Sequence, residues 1–556
     1  LTTTEVSALT TAQLNGLAST NLEALTTTQV TSLGTTQVAG LNTTTLNRLE
    51  TTDVAVLTTT EVSALSTAQL NGLNTTNLGA LTTTQVTSLS TTQVGGLTAT
   101  TLNSLETTDL VALTTTEVNA LTTAQLNAIN TTTLGGLTTT QVTSLSTTQV
   151  AGLSSTTLNN LETTDLVALT TTEVNALTTA QLNGLTSTTL GVMTTTQVTS
   201  LSTTQVSGLN TTALNRLSTT NVAVLTTTEV NALTTAQLNA INTTTLGGLT
   251  TTQVTSLSTT QVAGLSSTTL NNLETTDLVA LTTTEVNALT TAQLNGLTST
   301  TLGVMTTTQV TSLSTTQVSG LNTTALNRLS TTNVAVLTTT EVNALTTAQL
   351  NSLNTTNLGA LTTTQVTSLS TTQVAGISTT QLNVLETTDL VALTTTEVNA
   401  LTTAQLNGLT STTFGVMTTT QITSLSTTAV AGLNTTALNR LSTTNVVALT
   451  TTEVNALTTA QLNGLASTNL EALTTTQVVS LSTTQVAGLT ATTLNNLETT
   501  DLVALTTTQV NALTTAQLNA LDSTSVAGLT TTQITSLSTT TVRGLSTTTL
   551  NRLETT

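Results

Sequence analysis

The stretch LTTTEVSALTTAQLNG, residues 1–16, consists of two eight-residue phrases of nearly the same form. We label the eight positions of each octad a to h, with Leu1 at position a. Position a is Leu, or rarely Ile or Met, at every eighth residue as far as Leu553. Position f is Val, Leu or Ile in every octad except that of Phe414. Because no insertion breaks this register, the sequence predicts a packed repeat and not a disordered Thr-rich stalk.

Longer periods lie above the octad. The phrase LTTTEV returns at Leu57, so seven octads form a unit of 56 residues, and residues 113–224 recur unchanged at 225–336. Fixed self-similarity of this kind is typical of a solenoid. If seven octads span two superhelical turns, one turn holds about 28 residues. We therefore predict one continuous octapeptide-repeat array over residues 1–556, without separate domains.

Threonine favours strands, but the spacing of the aliphatic positions does not fit a strand. The intervals between them are five and then three residues, which departs from the period-two alternation of a half-buried strand. Proline is absent, and glycine is mostly confined to positions g and h. A β-solenoid with threonine ladders nevertheless stays open as the alternative fold.

A helical interpretation explains more positions of the octad. If Thr2 at position b is the N-cap, Glu5 lies three residues later, as in a capping box. Leu1 and Val6 then have the spacing of a hydrophobic staple. A small residue at the end, such as Gly16, leaves room for the chain to turn. The predicted fold class is all-α: a solenoid, or superhelix, of very short helices with one helix per octad.

Composition excludes several classes of function. The chain has 6 basic and 25 acidic residues, a net charge of −19, which argues against nucleic acid as a partner. No apolar run has the length of a membrane helix, so we expect no membrane insertion. Histidine, cysteine, lysine and tyrosine are absent, and a hydroxyl nucleophile needs a base. We predict that the protein is not an enzyme, and we assign no catalytic, cofactor-binding or metal-binding residue.

The most suggestive carboxylates lie in LETTDVAVLTTTE, residues 49–61. Brought together by a solenoid, they could hold Ca²⁺, which prefers several oxygen ligands. The alternative is that acidic residues in a first helical turn simply suit the helix dipole. The residues are Glu50, Asp53 and Glu61, with the equivalent sets Glu106, Asp109 and Glu117, and Glu162, Asp165 and Glu173.

Four arginines recur at position h of the sixth octad: Arg48, Arg216, Arg328 and Arg440. Their regular spacing predicts a sparse stripe along the repeat. The stripe could make contacts between neighbouring rods, or the arginines could simply be solvated charges.

The phrases LTTTQVTSLSTTQVAGL (137–153) and LTTAQLNGL (177–185) resemble the Thr-rich octad arrays of very large secreted bacterial surface proteins, often described as adhesin-like exoproteins. The resemblance covers the whole chain and transfers no active residue. It implies an extracellular or cell-surface location and a fibrous or stalk-like role.

Two functions follow from these observations. The first is structural: a subunit of an extracellular filament, sheath or surface layer, or the shaft of an adhesin. Such a protein would self-associate end to end, laterally, or both, because neither end carries an atypical capping octad. Either the chain is a segment of a longer one, or another copy covers its ends. The second is a binding module whose regular threonine face recognises ice or polysaccharide.

Overall fold

The computed structural model describes residues 1–553 and contains 69 short α-helices, one in each octad. Every helix begins at position c and ends at f, g or h, from Thr3–Ser7 to Thr547–Arg552. No strand is present among these residues. The helices of one 56-residue unit show the range of lengths: Thr59–Ser63, Thr67–Gly72, Thr75–Leu78, Thr83–Val86, Thr91–Gly96, Ala99–Ser104 and Thr107–Ala112. The predicted all-α repeat solenoid is confirmed, and the β-solenoid alternative is wrong.

Local sequence sets the start of most helices as predicted. In the helix Thr171–Ala176, Thr170 is the N-cap in an extended conformation. Its side chain accepts from the backbone N–H of Glu173, and Glu173 accepts from the backbone N–H of Thr170. This reciprocal capping box satisfies two donors that a helix start otherwise leaves free. A helix of four to six residues is too short to persist alone, so the cap and the packing of neighbouring turns must stabilise it.

The chain forms two compact units, Leu1–Leu281 and Thr282–Thr556, and each is built in the same way. In the first unit, Thr91–Gly96 packs against Thr115–Ala120, three octads later, and Thr179–Gly184 packs against Thr211–Leu214, four octads later. In the second unit, Thr315–Ser319 likewise packs against Thr339–Ala344. Contacts at three and four octads correspond to a turn of three and a half octads. The turn of about 28 residues expected from the sequence is therefore present in each unit.

The core of each unit is the pair of aliphatic positions a and f. Val118 and Leu121, three residues apart on one helical face, are almost completely buried. The same pattern holds through the inner turns, and it loosens at the ends, where Leu1 is 70% exposed and Leu550 is 42% exposed. The prediction of a single array without separate domains over 1–556 stays a prediction.

The small residue at position h provides space. No residue of the described chain has a positive φ, so glycine does not end these helices in a left-handed conformation. Leu153 instead leads the chain out of its helix in an extended conformation. A Cβ on Gly152 would stand 2.4 Å from Cγ2 of Thr123, one turn earlier. The close approach of successive turns is what requires glycine there.

Candidate functional site

The side chains at position e form a row through successive turns, which we call the e ladder. Position e is the third residue of each helix, so its side chain points back toward the N-cap and the preceding turn. In Gln181, Oε1 accepts from the backbone N–H of Thr178 at 2.7 Å and from its hydroxyl at 2.9 Å. Its Nε2 donates to the carbonyl oxygens of Val150 at 2.8 Å and Leu153 at 2.7 Å. One glutamine thus caps its own helix and joins it to the turn before.

A second row of hydrogen bonds comes from asparagine at position g. Asn183 Nδ2 donates to the carbonyl oxygen of Gly208 at 2.9 Å, and its Oδ1 accepts from the backbone N–H of Asn210 at 2.7 Å. Asn127 makes the equivalent bond to Gly152 at 2.8 Å. The two rows together connect each turn to the one before and the one after.

These cross-turn contacts were not predicted from the sequence. The signal available was that position e is almost always polar, although it lies next to the aliphatic position f. A capping box alone accounts for Gln and Glu at position e, so nothing in one octad calls for a second role.

The acidic residues at 50, 53 and 61 are not brought together as a ligand set. Glu50 is an exposed N-cap that makes no side-chain cap bond, Asp53 is buried, and Glu61 is held in the capping box of Thr58. Among residues 1–553, no group of three or more acidic side chains is arranged to hold a metal ion. Two of the three carboxylates, those of Asp53 and Glu61, lie in the first turn of a helix, as the dipole interpretation expected.

The repeated sets place their buried carboxylates in the e ladder. Oε2 of Glu173 accepts from the backbone N–H of Thr170 at 2.6 Å and from its hydroxyl at 2.7 Å, while Oε1 is buried without a partner. Oδ1 of Asp165 accepts from the hydroxyl of Thr139 at 2.9 Å, and Oδ2 is buried without a partner. Burial raises the pKa of Asp165, the bond from Thr139 lowers it, and the negative charge of Glu162 raises it further.

The arginines at position h reach inward. Nη1 of Arg216 donates to the carbonyl oxygen of Leu185, and Arg328 and Arg440 bond Leu297 and Leu409 in the same way. In all three octads position e is alanine, which cannot donate, and the carbonyl lies 28 residues before that alanine. The arginine therefore replaces the missing glutamine amide. These three arginines are not simply solvated charges. Contacts with neighbouring rods stay a prediction for Arg48, and for the guanidinium atoms of the other three arginines that do not bond the preceding turn.

The threonines divide between capping and the outer surface. Thr58 at position b caps its helix, and Thr59 and Thr60 at positions c and d are exposed. One of the surface depressions between turns is lined by Asn103, Glu106, Asn130 and neighbouring threonines, and it opens to solvent. The helical fold does not form the flat threonine ladders of a β-solenoid. No helix within residues 1–553 combines the length and apolar character that spanning a bilayer requires.

This architecture defines a class: an all-α repeat solenoid of one short helix per octad, with an aliphatic core pair at positions a and f and, in most octads, a side-chain cap and cross-turn hydrogen bonds. The chain belongs to the ALTTAQ repeat family, whose model matches more than half of it. No curated protein matches the chain. The matched stretches are residues 46–83, 102–139, 158–195, 230–267, 270–307, 334–371, 382–419, 454–491 and 494–531.

Proposed function

We propose that this repeat protein is an extracellular or cell-surface structural protein: a subunit of a filament, sheath or surface layer, or the shaft of an adhesin. It acts without catalysis and without nucleic acid as a partner. Its partner is a second copy of the chain, stacked end to end, with lateral contacts between rods. The resemblance to Thr-rich octad arrays of large secreted bacterial surface proteins supports the location.

The observation that carries this proposal is the way in which successive turns of the array cover one another. Inside each unit the aliphatic positions a and f are buried by the next turn. Leu1, at position a of the first turn, is 70% exposed, and Val542 and Leu550, at position f of the last turn, are each 42% exposed. A further turn of the same kind, from the same chain or from a second copy, would cover them and continue the e ladder and the row of asparagine bonds. Where a second copy supplies that turn, the head-to-tail stacking does not close on itself, and so it produces a filament.

A matched pair of variants tests end-to-end stacking. Val542→Asp places a charge on the uncovered end, and Val391→Asp places one on the side of the second unit, where Val391 is also 42% exposed. The oligomer is measured by analytical ultracentrifugation and electron microscopy across a concentration series. We expect filaments for the wild-type chain and for V391D, and a loss of filaments for V542D.

The opposite results are informative. If V391D alone abolishes assembly, the contacts are lateral and not axial. If the wild-type chain is a monomer at every concentration and salt condition, with calcium included, filament formation is refuted and only the shaft of an adhesin remains. The alternative of a threonine face for ice or polysaccharide was best suited to a flat β-solenoid, and the helical fold removes that arrangement.

A further inference from the structure

Several buried aspartates in the e ladder have one carboxyl oxygen without a hydrogen-bond partner. They occupy position e of the seventh octad in their 56-residue repeats and are at most 3% exposed. Where Oδ1 has a partner, it is the hydroxyl of a threonine 26 residues earlier, at 2.8 Å for Asp109 and 2.9 Å for Asp165. The aspartates whose Oδ2 is buried and unpartnered are Asp53, Asp109, Asp165 and Asp501.

In three of the 56-residue units asparagine replaces this aspartate, and its contacts show which group lies beside the second terminal atom of the side chain. Nδ2 of Asn221 donates to the carbonyl oxygen of Met193, 28 residues earlier, at 3.0 Å. Asn333 and Asn445 make the same bond at 3.0 Å. By the repeat, the corresponding carbonyls for Asp109 and Asp165 are those of Leu81 and Leu137. If the aspartate were ionised, its Oδ2 would face the backbone carbonyl oxygen, and both atoms can only accept a hydrogen bond.

In the part of the chain that the structure describes, the helices packed against Asp109 and Asp165 carry no positive charge. Asp109 lies on Thr107–Ala112, whose N-cap is Glu106, and this helix packs against Thr83–Val86 and Thr131–Gly135. Asp165 lies on Thr163–Ala168, with N-cap Glu162, between Thr139–Thr143 and Ser187–Leu190. None of the four neighbouring helices contains an ionisable residue. The charge that acts on each aspartate is the carboxylate of the glutamate that caps its own helix, Glu106 or Glu162.

We propose that these aspartic acid side chains take up a proton in the folded state and donate it from Oδ2 to the backbone carbonyl of the preceding turn, so that acid reinforces the solenoid. The protonated acid then has the donor and acceptor pattern of asparagine: Oδ1 accepts from threonine, and Oδ2–H donates to the carbonyl. An O–H···O bond of about 2.7–2.8 Å suits a place where an amide stands 3.0 Å from its acceptor.

A calcium ion fits the space beside Oδ2 of these aspartates less well than a proton does. Calcium takes six to eight oxygen ligands. Each of these positions offers one free carboxyl oxygen and backbone carbonyls, and the described residues include no group of three acidic side chains arranged around a point. A proton needs only the one donor and one acceptor that the repeat already places together.

The dependence on pH has a definite sign. Burial raises the pKa of Asp109 above its ordinary value of 3.8, and the charge of Glu106 adds to this, while the bond from Thr83 opposes it. A carboxyl whose folded pKa is raised binds its proton more tightly when folded. Stability is therefore gained as the pH falls from above the folded pKa towards 3.8, and it is lost again as the pH returns to neutral.

The test combines two opposite substitutions with a charge control. D109N/D165N installs the amide that natural octads carry at 221, 333 and 445. N221D does the reverse. E23Q/E471Q removes the same charge from two exposed glutamates. Urea unfolding of each protein is measured from about pH 7 to about pH 4, together with the infrared carbonyl band of protonated carboxyl groups in ¹³C-aspartate-labelled chain.

We expect D109N/D165N to raise the folding equilibrium constant at neutral pH by up to roughly tenfold per site. It should also lower by up to two the number of protons taken up on folding, and reduce the protonated-carboxyl band. N221D should lose stability at neutral pH and recover it in acid, and E23Q/E471Q should keep the wild-type proton uptake. The proposal is overturned if D109N/D165N leaves the proton uptake unchanged, or if calcium chloride at neutral pH stabilises the wild-type chain and not D109N/D165N.

Discussion

Gln181 joins two turns of the solenoid, because its Nε2 donates to the carbonyl oxygen of Leu153, 28 residues earlier, at 2.7 Å. Gln181→Glu keeps the capping oxygen and removes only the amide donor. We expect it to lower the free energy of unfolding by about 1–3 kcal/mol at neutral pH, since a buried acceptor then faces the carbonyl. Urea unfolding measures the change. Q13E is the matched control, because Gln13 makes the same cap and, within residues 1–553, its amide bonds no carbonyl of another turn. Equal losses in both variants would show that the cap, and not the cross-turn bond, matters.

Arg216 supplies the cross-turn donor that glutamine at position e supplies in other octads, because position e of its own octad is Ala213. Arg216→Ala leaves the carbonyl of Leu185 without its donor, and a hydrogen bond from a charged group contributes about 1.5–3 kcal/mol. We expect a loss of that size in urea unfolding, and we expect A213Q in the R216A background to restore most of it by supplying an amide at position e. R543A, at an exposed arginine, should change little. If A213Q does not restore the stability of R216A, Arg216 does not act as a replacement for the glutamine amide at position e.

The sequence was sufficient to predict the parts of the fold that lie within one octad. Thr170 and Glu173 are three residues apart, and that spacing alone predicts the capping box seen in the structure. The strict aliphatic pair at a and f predicted the core. The 56-residue period, taken as two turns, gave the turn of 28 residues that the bond from Gln181 to Leu153 confirms.

The cross-turn chemistry could not be predicted in the same way. Which carbonyl Gln181 reaches depends on the height and rotation of a whole turn, and no local propensity sets either. Arg216 looked like a surface charge because its donor role becomes visible only when Ala213 and Leu185 are seen side by side. Asp53 and Glu61 are eight residues apart, but the solenoid places them in two successive helices and not around one metal site.

Ala466 is an N-cap without a side-chain cap bond, at the start of the helix Ser467–Glu471. Ala466→Ser should raise the free energy of unfolding by about 1 kcal/mol, because a hydroxyl there can also accept from the backbone N–H of Asn469, which now donates to the carbonyl oxygen of Ala466 at 3.0 Å. T458A, one octad earlier, should lose a similar amount because it removes the cap of Thr459–Asn463. Both changes are measured by urea unfolding. No change in either variant would mean that caps contribute nothing measurable in this array.

Asp522 titrates in the opposite sense to the aspartates of the e ladder. It is the exposed N-cap of Ser523–Ala527, and its Oδ1 accepts from the backbone N–H of Ser525 at 2.7 Å. That bond lowers the pKa of Asp522 below 3.8. Its contribution is therefore present above 3.8 and is lost as the pH falls through the folded pKa. Asp522→Asn keeps the cap without the titration. The stability difference between the wild-type chain and D522N should shrink in urea unfolding below about pH 4, and a difference that grows there would contradict this assignment.

Phe414 is the single aromatic residue of the chain, and it is fully buried at position f. Leu302 holds the same place two 56-residue units earlier, in STTLGVM against STTFGVM. Phe414→Leu returns the octad to a sequence that the chain already uses, so we expect a loss below about 1.5 kcal/mol. Phe414→Ala leaves a cavity and should lose about 3–5 kcal/mol. L302F is the converse variant, and overpacking there should lose about 1–3 kcal/mol. Urea unfolding of the three variants decides the matter: if F414L loses as much as F414A, the turns around residue 414 are built for the aromatic ring, and the octads are not interchangeable at their core.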